Sequence, residues 1–488
     1  MADSEIQAIE SSNSVKNLSF TALTALVVGS MIGAGIFSLP QNIAEKASVG
    51  AAMIGWLITG FGMLMLAFVF QMLSRRKPEL DSGVYAYAKA GFGNYMGFNS
   101  AWGYWLVASL GNVSYYVLIF ATLGYFFPVF GEGNTIAAVA AASLLLWALY
   151  FMLARGIEGA TFINQLVTIA KIIPLLTFIV IMFTAFKVDI FTNDFWGAIT
   201  LVDGMSLGSV GTQVKNMMMV TVWVFIGIEG ASLFSAKAKK RSDVGKATVV
   251  GFLFTLVLLM FINFLSMGVL AQPELAVLKN PSTAYLLEMV VGKWGATFIS
   301  VGLIISVCGA LLAWTLFCAE VLYSAAADHT MPSFLHETNA KRVPVNALLL
   351  SSASTQLFLI ITYFSEGTYT TLLYLATSMI LLPYFFSAGY GLMVAKNKVG
   401  YEHEESNFND VIVAAIAVIY SLWLLYAAGI QYFVLSALLY LPGIIFYVKA
   451  RQEQQATLFT TAEKIILGII VIAALYAAYG LYTHTLTL

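Results

Sequence analysis

The stretch Gly29-Ser-Met-Ile-Gly-Ala-Gly-Ile-Phe-Ser-Leu-Pro40 decides the fold, because it interrupts an apolar segment that runs from residue 20 to residue 44. That segment is long enough to cross a bilayer. Its glycines and proline weaken a continuous helix, since glycine costs conformational entropy and proline lacks an N–H donor. Lipid cannot hydrogen-bond the released backbone groups, so an interruption at this depth has to face protein or a wet cavity.

A second apolar segment is interrupted in the same way, at Val222-Trp-Val-Phe-Ile-Gly-Ile-Glu-Gly-Ala-Ser-Leu-Phe-Ser235. Two interrupted helices in corresponding halves of a chain indicate the substrate site of a secondary transporter. The alternative is that the glycines only allow neighbouring helices to pack closely. The motifs alone leave both readings open, and the rest of the chain favours the transporter.

The composition is that of an integral membrane protein. Of the 488 residues, 60% are hydrophobic and 10% are charged, whereas soluble proteins carry about 25% charged residues. The first 19 residues are polar and lack the pattern of a cleaved signal peptide, so we predict a cytoplasmic N-terminal tail at residues 1–19. The net charge of −1 carries no information about partners, because the charges lie almost wholly in the loops, and we expect no nucleic acid.

Thirteen apolar stretches between charged or turn residues are long enough to be membrane segments. They lie at residues 20–44, 52–73, 84–127, 135–154, 159–186, 216–236, 244–271, 294–327, 345–364, 369–395, 411–428, 430–449 and 462–483. Five segments precede the second interrupted helix, so the sixth enters the membrane from the side opposite to the first. We therefore predict an all-α membrane protein whose ten-helix core, residues 20–395, consists of inverted five-helix repeats. The repeats are residues 20–186 and 216–395, and residues 411–483 form peripheral helices 11–13.

The basic residues predict the orientation of the chain in the membrane. With the N-terminus in the cytoplasm, Lys and Arg residues favour the inner side by about three to one. The outer side then carries Lys46, Lys187, Lys215, Lys279 and Lys293. An odd number of segments places the C-terminus outside the cell.

The two breaks offer backbone groups that suit an α-amino acid. A half-helix N-terminus presents free N–H groups and the positive end of a dipole, which together attract an anion. Gly33, Ala34 and Gly35 are in position to offer amides to a carboxylate. The carbonyls around Met31, Trp223 and Ile226 can accept hydrogen bonds from an ammonium group.

Aromatic side chains surround the predicted site. Trp223 lies beside the second break, Trp314 lies in mid-segment, and Tyr104 lies in the segment at residues 84–127. Trp and Tyr are mostly interfacial anchors, an explanation that weakens at mid-membrane depth. There a Trp ring can stack on a cationic side chain and close over it. For each Trp, packing in the core is an equally good reading.

Ionisable groups inside membrane segments are functional candidates by default. Glu229 follows the second break, where it can bind a cation, take a proton or brace the helix ends. Lys171 can occupy the place of a coupling cation, with snorkelling as the alternative. Glu320 is either a gate residue or a cap for basic loop residues, and Asn112 can hydrogen-bond a guanidinium or amide.

Several motifs resemble the amino acid–polyamine–organocation superfamily: Gly29-Ser-Met-Ile-Gly-Ala-Gly-Ile-Phe37, Trp223-Val-Phe-Ile-Gly-Ile-Glu229 and Ala313-Trp-Thr-Leu316. Tyr104-Trp-Leu-Val-Ala-Ser-Leu-Gly-Asn112 and Ala325-Ala-Ala-Asp-His-Thr-Met-Pro332 are similar to its basic amino acid/polyamine antiporter branch. The stretches at residues 23–40 and 80–93 resemble the bacterial arginine/ornithine antiporters of the arginine deiminase pathway most closely.

The resemblance implies a LeuT-like fold with ten core helices, and exchange of one cationic amino acid for another by alternating access. The substrate-binding residues it implies are Gly33, Ala34 and Gly35 for the carboxylate, the Met31, Trp223 and Ile226 carbonyls for the ammonium group, Asn112 for the distal end of the side chain, and Trp223 and Trp314 for stacking or gating. Tyr104 matches a position linked to pH response and distal gating. Dimers are common in this branch, which makes a homodimer an open expectation.

Three positions depart from the arginine/agmatine antiporters. Those proteins have Ser where Ala34 stands, have Asn where Ser30 stands, and lack a lysine that matches Lys171. A lysine on the fifth helix is typical of other superfamily members, where it stands in for a sodium site. We therefore expect neither a sodium requirement nor the pH gating of acid resistance.

The sequence thus predicts a secondary transporter that exchanges external arginine for internal ornithine, one for one and without net charge movement. Exchange of lysine for cadaverine, histidine for histamine or arginine for agmatine remains open on the same fold. A proton-coupled symporter that uses Lys171 is a rival of another class, and a nutrient sensor is a third. We expect no enzyme activity, cofactor or metal, because the sequence shows no nucleophile–base pair and no metal-ligand spacing.

Overall fold

The structure, a computed structural model, describes residues 18–80, 83–156, 160–202, 204–233, 235, 238–364, 368–402 and 405–486. Most of the predicted N-terminal tail, residues 1–17, therefore lies outside the described residues. Within them the chain is almost entirely helical. One small hairpin, β1 (Leu201–Val202) and β2 (Met205–Ser206), lies in the longest loop.

The helices follow one another as α1 (Phe20–Met31), α2 (Gly35–Ala44), α3 (Val49–Arg76), α4 (Val84–Phe92), α5 (Asn94–Phe126), α6 (Ile136–Ala154), α7 (Ala160–Ala185), α8 (Val188–Thr192), α9 (Val210–Trp223), α10 (Gly230–Leu233), α11 (Arg241–Met267), α12 (Gln272–Ala276), α13 (Ser282–Val291), α14 (Lys293–Ala327), α15 (Val345–Thr362), α16 (Thr368–Lys396), α17 (Phe408–Tyr440), α18 (Gly443–Glu453) and α19 (Thr461–Tyr482). Short 3₁₀ turns lie at Pro128–Phe130 and Ser333–His336.

Within the described residues, nine helices are long and apolar enough to cross a membrane, or ten if the bent pair α1–α2 is one span. The number is smaller than thirteen because the broken helix α9–α10 does not qualify as one long helix and because only Lys171–Ala185 of α7 enters the count. Helix α17 covers two predicted segments, and its residue Gly429 has non-helical angles, φ 76° and ψ 156°. The predicted segment 84–127 consists of α4 and α5, which Gly93 separates.

Two helix groups build the core. The broken pairs α1–α2 and α9–α10 pack with α3 and α11, while α5, α6, α14 and α15 form the second group. Helix α7 contacts α1 and α11 on one side and α14 on the other. Helix α16 similarly contacts α3 and α9 as well as α5. The two breaks therefore lie inside the protein, between the groups, where their backbone can find partners.

The first break is short and the second is longer. Helix α1 ends at Met31, Ile32 has non-helical angles (φ −79°, ψ 80°), and α2 leaves at an angle of 44°. Helix α9 ends at Trp223, and a turn over residues 224–229 leads to α10. Gly227 in that turn has a φ of 108°, a conformation that residues with a Cβ rarely adopt.

Candidate functional site

The two breaks contact each other directly. The Ser30 hydroxyl lies 2.9 Å from the Gly227 carbonyl oxygen and 3.0 Å from that of Val27, and it can donate to either. A Cβ on Gly227 would come within 2.8 Å of the Ser30 side chain. The Ser30 hydroxyl therefore joins the two breaks by a hydrogen bond, and the absence of a side chain at Gly227 lets them approach this closely.

A narrow cavity with about 330 Å³ of space between atoms lies at this junction. Its lining residues are Ser30, Met31, Gly33, Gly35, Val107, Gly111, Tyr115, Trp223, Val224, Ile226 and Trp314. Six predicted substrate-binding residues are among them: Met31, Gly33, Gly35, Trp223, Ile226 and Trp314. Ala34 is fully buried as the N-cap residue of α2 and is not among the lining residues.

The glycines of the first break allow aromatic rings to approach the backbone. A Cβ on Gly33 would lie 2.3 Å from the Tyr115 hydroxyl oxygen, and one on Gly35 would lie 2.9 Å from the Trp223 ring. At the start of α2 the Gly33 N–H donates to the Met31 carbonyl oxygen at 3.0 Å, and the Phe37 N–H donates to the Ala34 carbonyl oxygen at 3.1 Å, while the other first-turn amides lie where a helix leaves N–H groups without an intrahelical acceptor. They therefore offer donors and a positive dipole end at the cavity wall.

Lys171 closes the other side of the first break. Its side chain is 1% exposed, and its Nζ donates to the carbonyl oxygens of Gly29 (2.7 Å) and Ile32 (2.9 Å). The Trp314 indole N–H donates to the Ser30 carbonyl at 3.2 Å. These two side chains provide partners for three carbonyls at the end of α1. The Lys171 ammonium points inward to the break, which is the opposite of snorkelling.

Glu229 joins the second break to two other helices. One of its carboxylate oxygens accepts a hydrogen bond from the Tyr104 hydroxyl on α5, and the other accepts one from the Tyr384 hydroxyl on α16, both at 2.7 Å. Glu229 and both tyrosines are fully buried. The Tyr104 ring in turn stacks on Trp314, with ring centroids 6.4 Å apart and an interplanar angle of 28°. The carboxylate therefore connects the break to the cavity wall.

Asn112 lies in a second cavity of about 250 Å³, next to the first. The residues that line this cavity are Asn112, Tyr116, Leu146, Leu149, Thr315, Ser351, Ser352 and Thr355. The Asn112 Nδ2 atom lies 3.8 Å from the Cys318 sulfur, while its buried Oδ1 has no hydrogen-bond partner in the described part of the chain. Gly111, the preceding residue, lines the first cavity. Glu320 is half-buried on α14 and lines neither cavity.

Sequence reasoning missed three residues at the site. Ser30 stands inside the first motif, but nothing in the sequence shows that its hydroxyl meets the second break. Tyr115 and Tyr384 lie in apolar helices, where a tyrosine that contacts a functional group looks the same as one that packs in the core. Across the ranges that the structure describes, no cluster of three His, Cys, Asp or Glu side chains could hold a metal ion.

Comparison with protein families gives one match that covers nearly the whole chain. The model for the amino acid permease family matches residues 18–475. Among solved structures, the chain resembles a Na⁺-coupled sialic acid symporter in a substrate-bound outward-open state, with a TM-score of 0.53 and 14% identity. That match covers 85% of this chain and 90% of the symporter, and it shows a shared fold.

Three relatives are similar over almost their full length. An arginine/ornithine antiporter of Pseudomonas aeruginosa is 60% identical over 98% of this chain and all of its own. An L-lysine transport protein of Corynebacterium glutamicum is 44% identical over 97% of each chain. An arginine/agmatine antiporter of Chlamydia caviae is 42% identical over 97% of this chain and 99% of its own.

Proposed function

Because the chain belongs to the amino acid permease family and is a multi-pass membrane protein, we propose that it is an antiporter that exchanges external arginine for internal ornithine. The observation that carries the proposal is the cavity between two broken helices, in a chain 60% identical to an arginine/ornithine antiporter. An α-amino acid carries a carboxylate and an ammonium group on one carbon. Helix breaks offer donors and acceptors at the same short separation.

The backbone of the substrate is recognised by the backbone of the protein. In this proposal the amides of Gly33, Ala34 and Gly35 bind the carboxylate at the start of α2. The carbonyls of Met31, Trp223 and Ile226 bind the ammonium group. Met31, Gly33, Gly35, Trp223 and Ile226 line the cavity, which supports this assignment. Ala34 offers only its backbone amide, since its side chain is buried away from the cavity.

The substrate side chain extends past Gly111 towards Asn112. Both arginine and ornithine end in a cationic donor group, which suits the unpaired Oδ1 of Asn112. The aliphatic part of either side chain then lies between Trp223 and Trp314, whose ring faces attract cations. The adjoining cavity around Asn112 is narrow and lies where the guanidinium group of arginine would reach.

In this proposal Glu229 connects the gate to α16 through Tyr104 and Tyr384. Substrate that moves Trp314 also moves Tyr104, because the two rings are stacked. The carboxylate transmits this movement to α16 through Tyr384. Glu320, six residues beyond Trp314 on α14, is proposed to act later along the path to the cytoplasm.

Lys171 serves as a built-in cation. Its ammonium group already donates hydrogen bonds to two carbonyls of the first break, so no coupling ion is needed there. Proton-coupled symport through Lys171 is less well supported, because a deprotonated amine would lose the charge that strengthens both hydrogen bonds. We therefore propose sodium-independent transport.

The exchange moves no net charge, since arginine and ornithine each carry one positive charge near neutral pH. The gradients of the two amino acids alone then set the direction. Exchange is obligatory if the empty carrier rearranges slowly, because the vacant site leaves the polar groups at the helix breaks without substrate partners. The inverted repeats, residues 20–186 and 216–395, provide the two alternating conformations.

The proposed location is the cell (inner) membrane, with the N-terminus in the cytoplasm and the C-terminus outside. The threefold excess of Lys and Arg on one side of the chain supports this orientation. A homodimer is the proposed assembly, which light scattering of the detergent-solubilised protein tests. Catalysis of a chemical reaction is no part of the proposal.

Counterflow in proteoliposomes tests the function. Vesicles are loaded with ornithine, with agmatine, with cadaverine or with buffer alone, and labelled arginine is added outside. We expect rapid uptake into ornithine-loaded vesicles and little uptake into the others. Equal uptake into empty vesicles, or uptake driven by a pH step, would contradict exchange. Faster uptake into agmatine-loaded than into ornithine-loaded vesicles would assign arginine/agmatine exchange, the activity named for the Chlamydia caviae relative, instead.

A further inference from the structure

A groove of about 1320 Å³ opens where α3 ends and where α11 and α17 begin. The residues that line it are Phe68, Gln71, Met72, Ser74, Arg75, Pro78, Arg241, Ser242, Gly245, Lys246, Asp410 and Val413. Three of these side chains are basic and one is acidic. The groove shares no lining residue with the cavity at the helix breaks.

The groove carries a net positive charge of two from Arg75, Arg241 and Lys246 against Asp410. The Asp410 carboxylate is already engaged, because it accepts a hydrogen bond from the Tyr401 hydroxyl at 2.6 Å and lies 3.6 Å from Arg75. Helix α11 begins at Arg241, and no side chain caps its N-terminus. Its first-turn amides and dipole add to the positive potential in the groove, and the Asp243 carboxylate in the same turn, which is not among the lining residues, offsets part of it.

The groove continues into apolar surface on the membrane side. Phe68 and Met72 form part of its floor. On α11, an exposed apolar face follows Lys246 towards the C-terminal end of the helix and consists of Val250, Leu253, Phe254, Val257 and Phe261. On α3, the exposed residues Leu57 and Phe61 precede Phe68 on the same helix face. In a membrane protein, such faces are the surface that acyl chains cover.

We infer that this groove binds an anionic phospholipid, with the phosphate between Arg75, Arg241, Lys246 and the start of α11, and with the acyl chains along α3 and α11. Basic pockets between membrane helices on the cytoplasmic side are suited to anionic headgroups. The orientation proposed above places the groove in the cytoplasmic leaflet. Free phosphate would use the charges alone, whereas a phospholipid uses the charges together with the apolar faces beside them, which is why a lipid is the better occupant.

Lipid binding is measured on the purified full-length protein. Native mass spectrometry, with titrated phosphatidylglycerol or phosphatidylcholine, compares the unmodified protein with the double variant Arg241→Gln/Lys246→Gln. We expect retention of phosphatidylglycerol in preference to phosphatidylcholine. Phosphatidylglycerol should bind roughly 30-fold more weakly to the double variant, since each basic residue near an anionic lipid surface strengthens binding about fivefold. Equal retention of the two lipids, or equal retention by both proteins, would overturn the inference.

The matched control is Lys396→Gln/Lys464→Gln, which removes two exposed charges outside the groove on the same proposed side. It should bind phosphatidylglycerol as the unmodified protein does; an equal loss in this control would show that only overall charge matters and would overturn the site. Inorganic phosphate is the competitor that separates the two sources of the anion. Displacement of the lipid by phosphate alone at millimolar concentration would assign a free-anion site instead.

A third variant keeps the test decisive if the double variant does not fold. Ser242 lines the groove at the second residue of α11, where an acidic side chain favours the helix. Ser242→Glu should therefore preserve folding and repel the phosphate, so its phosphatidylglycerol binding should fall while its thermal unfolding midpoint stays unchanged. Undiminished lipid binding to a folded Ser242→Glu protein would overturn the inference.

Discussion

Gly33 leaves no room for a side chain at the first break. A Cβ there would lie 2.3 Å from the Tyr115 hydroxyl oxygen. We expect Gly33→Ala to reduce arginine–ornithine exchange by about tenfold or more, because overpacking displaces the amides that we propose bind the carboxylate. Gly468→Ala is the control, since no atom lies within 4 Å of that position. Uptake of labelled arginine into ornithine-loaded vesicles measures both.

A double variant separates crowding from other effects of the alanine. Tyr115→Phe removes the atom nearest to the added methyl group, so Gly33→Ala/Tyr115→Phe should recover part of the lost exchange. Full activity of Gly33→Ala alone would show that the break tolerates a Cβ, and the proposed carboxylate site would then be wrong.

Lys171 stabilises the first break through two buried hydrogen bonds, to the carbonyl oxygens of Gly29 and Ile32. Lys171→Met keeps most of the side-chain volume but removes the donors, which we expect to destabilise the protein by about 3 kcal/mol and to abolish exchange. Thermal unfolding of the purified protein measures the first effect. Lys187→Met, at an exposed lysine, is the matched control. Unchanged stability of Lys171→Met would contradict the bracing role.

The role of Tyr384 can be tested by removing only its hydroxyl group. Tyr384→Phe removes the donor to one Glu229 oxygen and leaves the carboxylate with the Tyr104 hydrogen bond. We expect a loss of about 1–3 kcal/mol in stability and a slower exchange rate, since a buried charged acceptor loses a partner. Tyr440→Phe is the control, because the buried Tyr440 hydroxyl has no partner among the described residues. Equal effects of the two substitutions would contradict a specific role for the Glu229 connection.

At the scale of elements, the end of α3 is attached to the loop before α17. The Arg76 guanidinium donates two hydrogen bonds to the Glu405 carboxylate and lies 3.7 Å from the centre of the Tyr401 ring. The hydrogen bond from Arg76 lowers the pKa of Glu405 from 4.5 to about 2. A carboxyl group whose pKa falls on folding stabilises the protein at pH values above its ordinary pKa. This contribution to stability is lost as the pH falls from 4.5 towards 2.

The attachment therefore has a predictable pH dependence. Glu405→Gln should unfold at a lower temperature than the unmodified protein at pH 6, and the gap between the two midpoints should narrow as the pH is lowered below 4.5. Glu274→Gln, an exposed carboxylate on α12, should show no such gap. A gap for Glu405→Gln that stays constant with pH would contradict the assigned hydrogen bond.

The element pattern could be predicted from sequence where composition decides it. Apolar length and glycine placement locate both helix breaks, and Gly429 marks the interruption of α17. Sequence could not predict the separation of α4 from α5, because the apolar pattern continues through Gly93.

For the molecule as a whole, sequence identifies the residues of the cavity better than their connections. Backbone sites follow from the breaks themselves, so Gly33, Gly35 and Ile226 could be proposed from spacing alone. The partners of Lys171 and Glu229 could not, because they come from helices more than 120 residues away in the chain. Pairing of this kind depends on how α5, α7 and α16 pack, which no local pattern encodes.

The packing also suggests how the carrier works as one unit. The cavity lies between the α1–α2, α3, α9–α10 and α11 group and the α5, α6, α14 and α15 group, and residues from both groups line it. A relative movement of the groups would open the cavity to one side and close it to the other. Hydrogen bonds from α7 and α16 cross to the breaks, so these helices are placed to limit that movement.

The central claim is coupled exchange of two singly charged amino acids, and dual-isotope stoichiometry tests it most directly. Vesicles containing the purified protein are loaded with ³H-ornithine, ¹⁴C-arginine is added outside, and both fluxes are measured at potassium diffusion potentials of either sign. The account predicts one arginine taken up for each ornithine released, at a rate that does not change with the potential. Ornithine release without arginine uptake, or a ratio or rate that follows the potential, would contradict it.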